Sequence, residues 1–120
     1  AAPGKAFLAQ MPLNRREKFV KELDLKKFTS NTITTHRALL AELEEVSELG
    51  YAVDKEEEME GQICIGSAVL NRDASLAGAI WLVAPSSRLP EKAVPRIGQL
   101  VKEGAEKISV GLGCFFLQVA

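Results

Sequence analysis

Two nine-residue stretches, 62–70 and 76–84, carry no charged side chain on either face. In the first, Ile63, Ile65, Ser67 and Val69 alternate with Cys64, Gly66, Ala68 and Leu70; in the second, Leu76, Gly78, Ile80 and Leu82 alternate with Ala77, Ala79, Trp81 and Val83. Successive side chains of a strand point to opposite faces, so strands uncharged on both faces must be covered on both. The intervening Asn71–Ser75 has turn chemistry and joins them as an antiparallel hairpin. Loop length then decides what shares a face. A four-residue loop, Asn71–Ala74, pairs Leu70 with Ser75 and sets Cys64 opposite Trp81, on one face. A five-residue loop pairs Cys64 with Leu82 and sends Trp81 to the other face.

The rest of the chain must supply the cover. Ala6–Gln10 reads as a short helix preceded by the breakers Pro3 and Gly4, and Asn14 as the N-cap of a second helix. That helix sets Phe19, Val20 and Leu23 to one side among Arg15, Arg16, Lys18 and Lys21. Asp24–Thr35 lacks helical period and reads as an ordered loop. A third helix begins at the cap Thr35, repeats Leu39, Leu40, Leu43, Val46 and Leu49, and stops at Gly50. Glu42, Glu44, Glu45 and Glu48 form its solvated face. A short strand, Tyr51–Val53, leads into the acidic stretch Asp54–Gly61, whose Glu56, Glu57, Glu58 and Glu60 are expected to form a solvated surface loop. After a loop at Pro85–Pro90, a final helix over Glu91–Leu112 should bury Val94, Ile97, Val101, Ala105, Ile108 and Leu112, with Pro95 tolerated in its first turn. The apolar tail Cys114–Val119 must pack against this domain or a second copy.

This inventory is an α/β (α+β) domain spanning residues 1–120, but it holds a deficit. Three strands with a two-sided apolar hairpin need more sheet and more cover than these elements provide. Further strands are therefore expected upstream of Ala1 or from another chain. The opening at Ala1 without Met agrees with a fragment.

Composition narrows the function. Fifteen basic against sixteen acidic residues leave a net charge of −1, without the basic excess of a DNA-binding domain. The run Leu76–Pro85 is too short to span a bilayer, which takes about 20 residues. No signal peptide is visible, so the cytoplasm is the expected compartment. With two distant cysteines, Cys64 and Cys114, and one histidine, His36, neither a metal site nor a cofactor is expected. Cys64 reads as a buried, reduced thiol. As a nucleophile it would need a nearby base, and His36 is remote in sequence, so no catalytic residue is expected.

Four segments, in order, resemble the effector-binding domain of IclR-family transcriptional regulators. They are Ala2-Pro3-Gly4-Lys5-Ala6-Phe7-Leu8-Ala9, Phe28-Thr29-Ser30-Asn31-Thr32-Ile33-Thr34, Gly50-Tyr51-Ala52-Val53-Asp54-Lys55-Glu56-Glu57 followed by Gly61 and Cys64, and the hairpin ending at Pro85 with Arg88-Leu89 and a helix closing on Lys107-Ile108-Ser109. The resemblance implies a GAF-like or profilin-like sheet flanked by helices, a small-molecule pocket on one sheet face, and a homodimer or tetramer. It also implies that DNA is reached only through an N-terminal winged helix-turn-helix absent from this sequence.

It carries over a set of effector-binding positions as well. In carboxylate-sensing members, backbone amides at the start of the Gly-Lys helix hold the anion; those positions are Ala2 and Pro3, and Pro3 has no amide proton to give. Asp54, Gln62 and Cys64 match further pocket positions. Where acid-sensing members carry two serines, this chain has Trp81 and Val83. Losing those hydroxyls weakens any hold on a small carboxylate and points to an apolar or aromatic effector. Plainer readings stand beside these: Asp54 as a loop cap near Gly50, and Trp81 as core or as a plug. A plugged pocket would make the domain an assembly module without an effector.

Overall fold

The computed structural model describes residues 1–115. Helix α1 (Ala2–Ala9) is followed by α2 (Leu13–Lys21), α3 (His36–Leu49), strands β1 (Ala52–Lys55), β2 (Gln62–Leu70) and β3 (Leu76–Pro85), two short 3-10 turns at Ser86–Arg88 and Glu91–Ala93, and α4 (Val94–Gly111). The strands form one antiparallel sheet in the order β1-β2-β3. Two cores lie on its opposite faces. On one, Ala2, Ala6 and Ala9 of α1 meet Leu39, Leu43 and Val46 of α3, with Val20, Ala52 and Cys64. On the other, Tyr51, Ile63, Ile65, Leu89 and Val94 pack together, with Ile97 and Val101 of α4 against them.

Local capping explains the clearest boundaries. The Thr35 hydroxyl accepts from the Ala38 amide at 3.2 Å, and Gly50 takes a left-handed φ of 82°, so α3 starts and stops where its sequence predicts. Helix α1 begins earlier than predicted: Pro3 and Gly4 lie inside its first turn, where a missing amide proton leaves no intrahelical bond unmade. Helix α2 starts at Leu13 with Pro12 as N-cap, and the Asn14 side chain bonds only the neighbouring Arg15 amide. The buried stripe of α4 runs through Val94, Gly98, Ala105 and Ser109, leaving Ile108 and Leu112 exposed. A step of four from Ala105 keeps to the core side, whereas the predicted step of three drifts off it. Cys114 is buried; the rest of the apolar tail beyond residue 115 lies outside the described residues.

Both predicted hairpin strands form, but only β2 is covered on both faces. β3 is an edge strand, and its Leu76, Trp81, Leu82 and Val83 are exposed. Its register combines features of both predicted loops. Around the turn, the Asn71 amide bonds the Ser75 carbonyl and Leu70 stands opposite Leu76, the five-residue-loop register. One pair further on Val69 stands opposite Gly78, so Ala77 is an extra residue on β3, a bulge that returns the side chains to the other parity. Cys64 consequently faces Val83, not Trp81 or Leu82, while Trp81 stands opposite Gly66 on the Cys64 face. At the bulge the Leu70 amide donates to Ser109 Oγ at 2.9 Å.

Two cations, Lys5 and Arg16, are structural. Lys5 is 5% exposed; its ammonium donates to Glu42 at 2.9 Å and to the Val53 carbonyl at 2.8 Å, and it pairs ionically with Glu57 at 2.6 Å. Arg16 is buried too, donating to the Ala9 and Met11 carbonyls just past α1 and to Glu44. Glu57 is accordingly not part of a solvated loop, and the backbone carbonyls of Glu56 and Glu57 accept from the Thr29 and Thr32 hydroxyls.

Removing the Lys5 charge strands Glu57 in a buried position. Lys5→Met is expected to cost about 3 kcal/mol in urea unfolding, the usual scale for breaking a buried pair. Adding Glu57→Gln should recover part of that loss. Equal stability of Lys5→Met and the parent would show that the ammonium contributes nothing to the fold.

Candidate functional site

The close approach of α1 to the sheet creates the site. A methyl group on Gly66 would stand 3.3 Å from both the Ala2 carbonyl carbon and the Pro3 nitrogen, so the first turn of α1 lies almost on β2. Beside that turn opens a cavity of about 260 Å³, whose walls include Pro3, Asp54, Gln62, Cys64, Trp81 and Val83. Six of the seven residues assigned to the effector from sequence thus meet around one space. Ala2, the seventh, is fully buried beneath it and contributes no wall. Met59 and Glu58, from the loop between β1 and β2, complete the rim; neither was singled out in the sequence, because that loop carries no periodic signal.

Each wall has a local cause. β1 ends by placing Asp54 opposite Cys64 across the ladder. The Asp54 side chain is 6% exposed, and its Oδ1 accepts from the Glu57 amide at 2.8 Å, so it does cap a turn, though the one after β1 and not the one at Gly50. Its Oδ2 has no hydrogen bond among the described residues and lies 4.0 Å from the Ala1 ammonium. The β3 bulge brings Trp81 and Val83 round to the Cys64 face. Among the described residues Trp81 is 57% exposed and forms part of the cavity wall.

Burial pushes the Cys64 thiol above its ordinary value, and the Asp54 carboxylate pushes the same way; the Ala2 amide facing the sulfur and the positive chain terminus pull against them. The thiol is thus held protonated near neutral pH, the opposite of what a nucleophile requires. His36 Nε2 lies 2.8 Å from the Leu23 carbonyl and does not line the cavity. Other hollows lie elsewhere among the described residues. One of about 320 Å³ lies on the far side of α1 against Phe28, Thr32 and Ile33; another, of about 330 Å³, lies between α3 and α4 by Tyr51. Among the described residues no group of His, Cys, Asp and Glu is arranged to hold a metal ion, and no helix is long and apolar enough to cross a membrane.

A three-stranded antiparallel sheet with helices on both faces and a cavity at a helix start is a layout that can hold a small molecule. The chain superposes on Thermotoga maritima IclR with a TM-score of 0.86 at 34% identity, over 94% of this chain and 46% of that one. On the C-terminal domain of Escherichia coli KdgR the TM-score is 0.83 at 31% identity, over 94% and 69% of the two chains. The HTH-type transcriptional repressor AllR of Escherichia coli K12 is 39% identical over 110 residues, 92% of this chain and 41% of the repressor. Residues 1–110 match the family described as bacterial transcriptional regulator IclR C-terminal, and the chain belongs to that family. It spans about two-fifths of the length of the curated relatives it matches.

The thiol analysis has a chemical consequence. In a Cys114→Ala variant, iodoacetamide should alkylate folded Cys64 at pH 8 at least about tenfold more slowly than the urea-unfolded chain, because burial removes both access and thiolate. Since the folded state holds this proton more tightly, its contribution to stability should be complete below the ordinary thiol pKa and fall as pH rises through the raised one. Rapid labelling at pH 7 would instead reveal an activated thiolate and reopen catalysis.

Proposed function

We propose that this chain senses a small molecule bound between the start of α1 and the face of β2 and β3, with Pro3, Asp54, Gln62, Cys64, Trp81 and Val83 as its contacts over the floor at Ala2. The observation that carries this reading is the 260 Å³ cavity itself, which remains open beside Trp81. Its walls are mostly apolar, with a few polar groups converging at one end, the pattern of sites that orient a ligand through a small number of hydrogen bonds. The effector is apolar or aromatic in body: an indole, an isopropyl group and a thioether offer it surface and little else.

In a longer regulator the domain acts in the cytoplasm, as a dimer or tetramer, and controls an N-terminal winged helix-turn-helix that makes the DNA contact. The exposed Leu76, Trp81, Leu82 and Val83 give further chain, from the same polypeptide or a second copy, an apolar surface to cover. The domain carries out no chemical step on its ligand. The alternative, an assembly module with a plugged pocket, has support only in the exposure of β3.

Thermal unfolding separates the two. A ligand in hundredfold excess over its dissociation constant stabilises the folded state by about 2.7 kcal/mol. Scanned against aromatic compounds and small aliphatic carboxylates, the midpoint should rise with the aromatic set. The rise should be lost in Trp81→Ala, whose exposed side chain can be removed at small cost in stability. No rise with any compound, in the parent or in a longer regulator, would favour the assembly module.

A further inference from the structure

One segment singled out in the sequence, residues 28–34, places no residue in the wall of the 260 Å³ cavity. Its polar side chains are nonetheless committed to a single task. Thr29 Oγ1 donates to the Glu56 carbonyl and Thr32 Oγ1 to the Glu57 carbonyl, each at 2.5 Å, while Asn31 Nδ2 donates to the Lys55 carbonyl at 3.1 Å. Three side chains thus serve three successive carbonyls of the chain leaving β1. The other partners of the two hydroxyls fix the direction of these bonds. Thr29 Oγ1 accepts from the Asn31 amide, and Thr32 Oγ1 accepts from the amides of Phe28 and Thr29, so each hydroxyl gives its one proton outward.

The backbone held this way is one that needs holding. Glu56 has a φ of 56°, a left-handed conformation disfavoured for any residue with a side chain. Such a residue persists only where its surroundings over-determine it, and here its own carbonyl and the two beside it are all engaged. The neck of the same loop is closed by the Gly61 amide, which donates to Glu56 Oε1 at 2.6 Å. What lies on this turn is cavity wall. Asp54 Oδ1 accepts from the Glu57 amide at 2.8 Å, and Glu58 and Met59 follow directly. A shift of the turn at Glu56 therefore moves the partner of Asp54 and both rim residues together.

We propose that Thr29, Asn31 and Thr32 are positioning residues of the effector site, fixing from behind the wall made by Asp54, Glu58 and Met59 without touching its contents. This rests on the cavity being the effector site. The clamp is long-range, Thr29 lying 27 residues before Glu56, so nothing in the acidic stretch itself announces it.

Cys64, which stands opposite Asp54 across the ladder, reports on this wall without any ligand. In the Cys114→Ala chain at pH 8, iodoacetamide labelling of folded Cys64 is followed against urea concentration. Opening of the wall alone gives a rate independent of urea well below the unfolding transition, whereas labelling through global unfolding rises steeply with urea throughout. Thr32→Val is expected to raise the urea-independent rate at least about fivefold, the scale of one hydrogen bond lost. Thr32→Ser, which restores the hydroxyl, should stay within about twofold of the parent. Asn31→Asp replaces the outward donor with an acceptor at an exposed position, and should raise the same rate by a smaller factor. Rates in Thr32→Val and Asn31→Asp equal to the parent's, or tracking global unfolding at every urea concentration, would overturn the clamp. Since no ligand enters the measurement, that result would leave the effector site itself to be judged by the thermal scan.

Discussion

Lys5 is the interaction on which the site depends. Helix α1 has little apolar area to hold it in place, since three of its four buried residues are alanines. Its position is set by polar anchors at both ends. The Lys5 ammonium uses three acceptors from three different elements, α3, β1 and the loop after β1. Burying an unpaired ammonium would cost several kcal/mol, so this triple engagement is nearly all-or-none, and it fixes both the rotation and the depth of the helix. At the other end Arg16 holds the Ala9 carbonyl, one of the acceptors that a helix C-terminus leaves free. With α1 clamped this way, alanines and Gly66 suffice at the contact with β2. A bulkier helix would lift its first turn and open the cavity to solvent.

A second dependency runs through the β3 bulge. A strand's side chains change faces with every one-residue shift in register, so the pairing at the turn alone would put Trp81 against α4 and Leu82 against the cavity. The extra residue Ala77 cancels that shift. The interruption leaves the Leu70 amide to find an acceptor elsewhere, and Ser109, reaching from α4 and also bonded to the Ala105 carbonyl, supplies it. The composition of the cavity is thus secured by a serine on the opposite side of the sheet, far from any ligand. Neither half of this pair is intelligible alone.

How much could be read beforehand follows from the range of the interactions concerned. The hairpin and α3 were legible because their signals are local: two uncharged strands about a turn, and Thr35 and Gly50 at the helix ends. Six of the positions proposed through resemblance meet around one cavity, while the pairing of Cys64 with Val83 was not legible, since no local feature announces a bulge at Ala77. Lys5, Arg16 and Glu57 escaped for a related reason. A charge in sequence looks solvated unless its partner is near, and the partners here lie 37 residues away for Lys5 with Glu42 and 28 for Arg16 with Glu44. The exposure of β3 agrees with the deficit of cover expected from its two-sided apolar pattern, which tells what a strand would bury and not which neighbour is present to bury it.

These contacts bear on how occupancy could be felt elsewhere. A ligand shifts a conformational equilibrium only through contacts that differ between the states. An occupant of this cavity touches Pro3 at the start of α1, Asp54 at the end of β1, and Trp81 and Val83 on β3. Helix α1 and β1 are already tied together by Lys5 through Val53, so added contacts there change little. β3 is different: it is an edge strand with several large side chains exposed among the described residues. Its position relative to α1 is the quantity a ligand can alter most, and the bulge already gives the strand a point of bending.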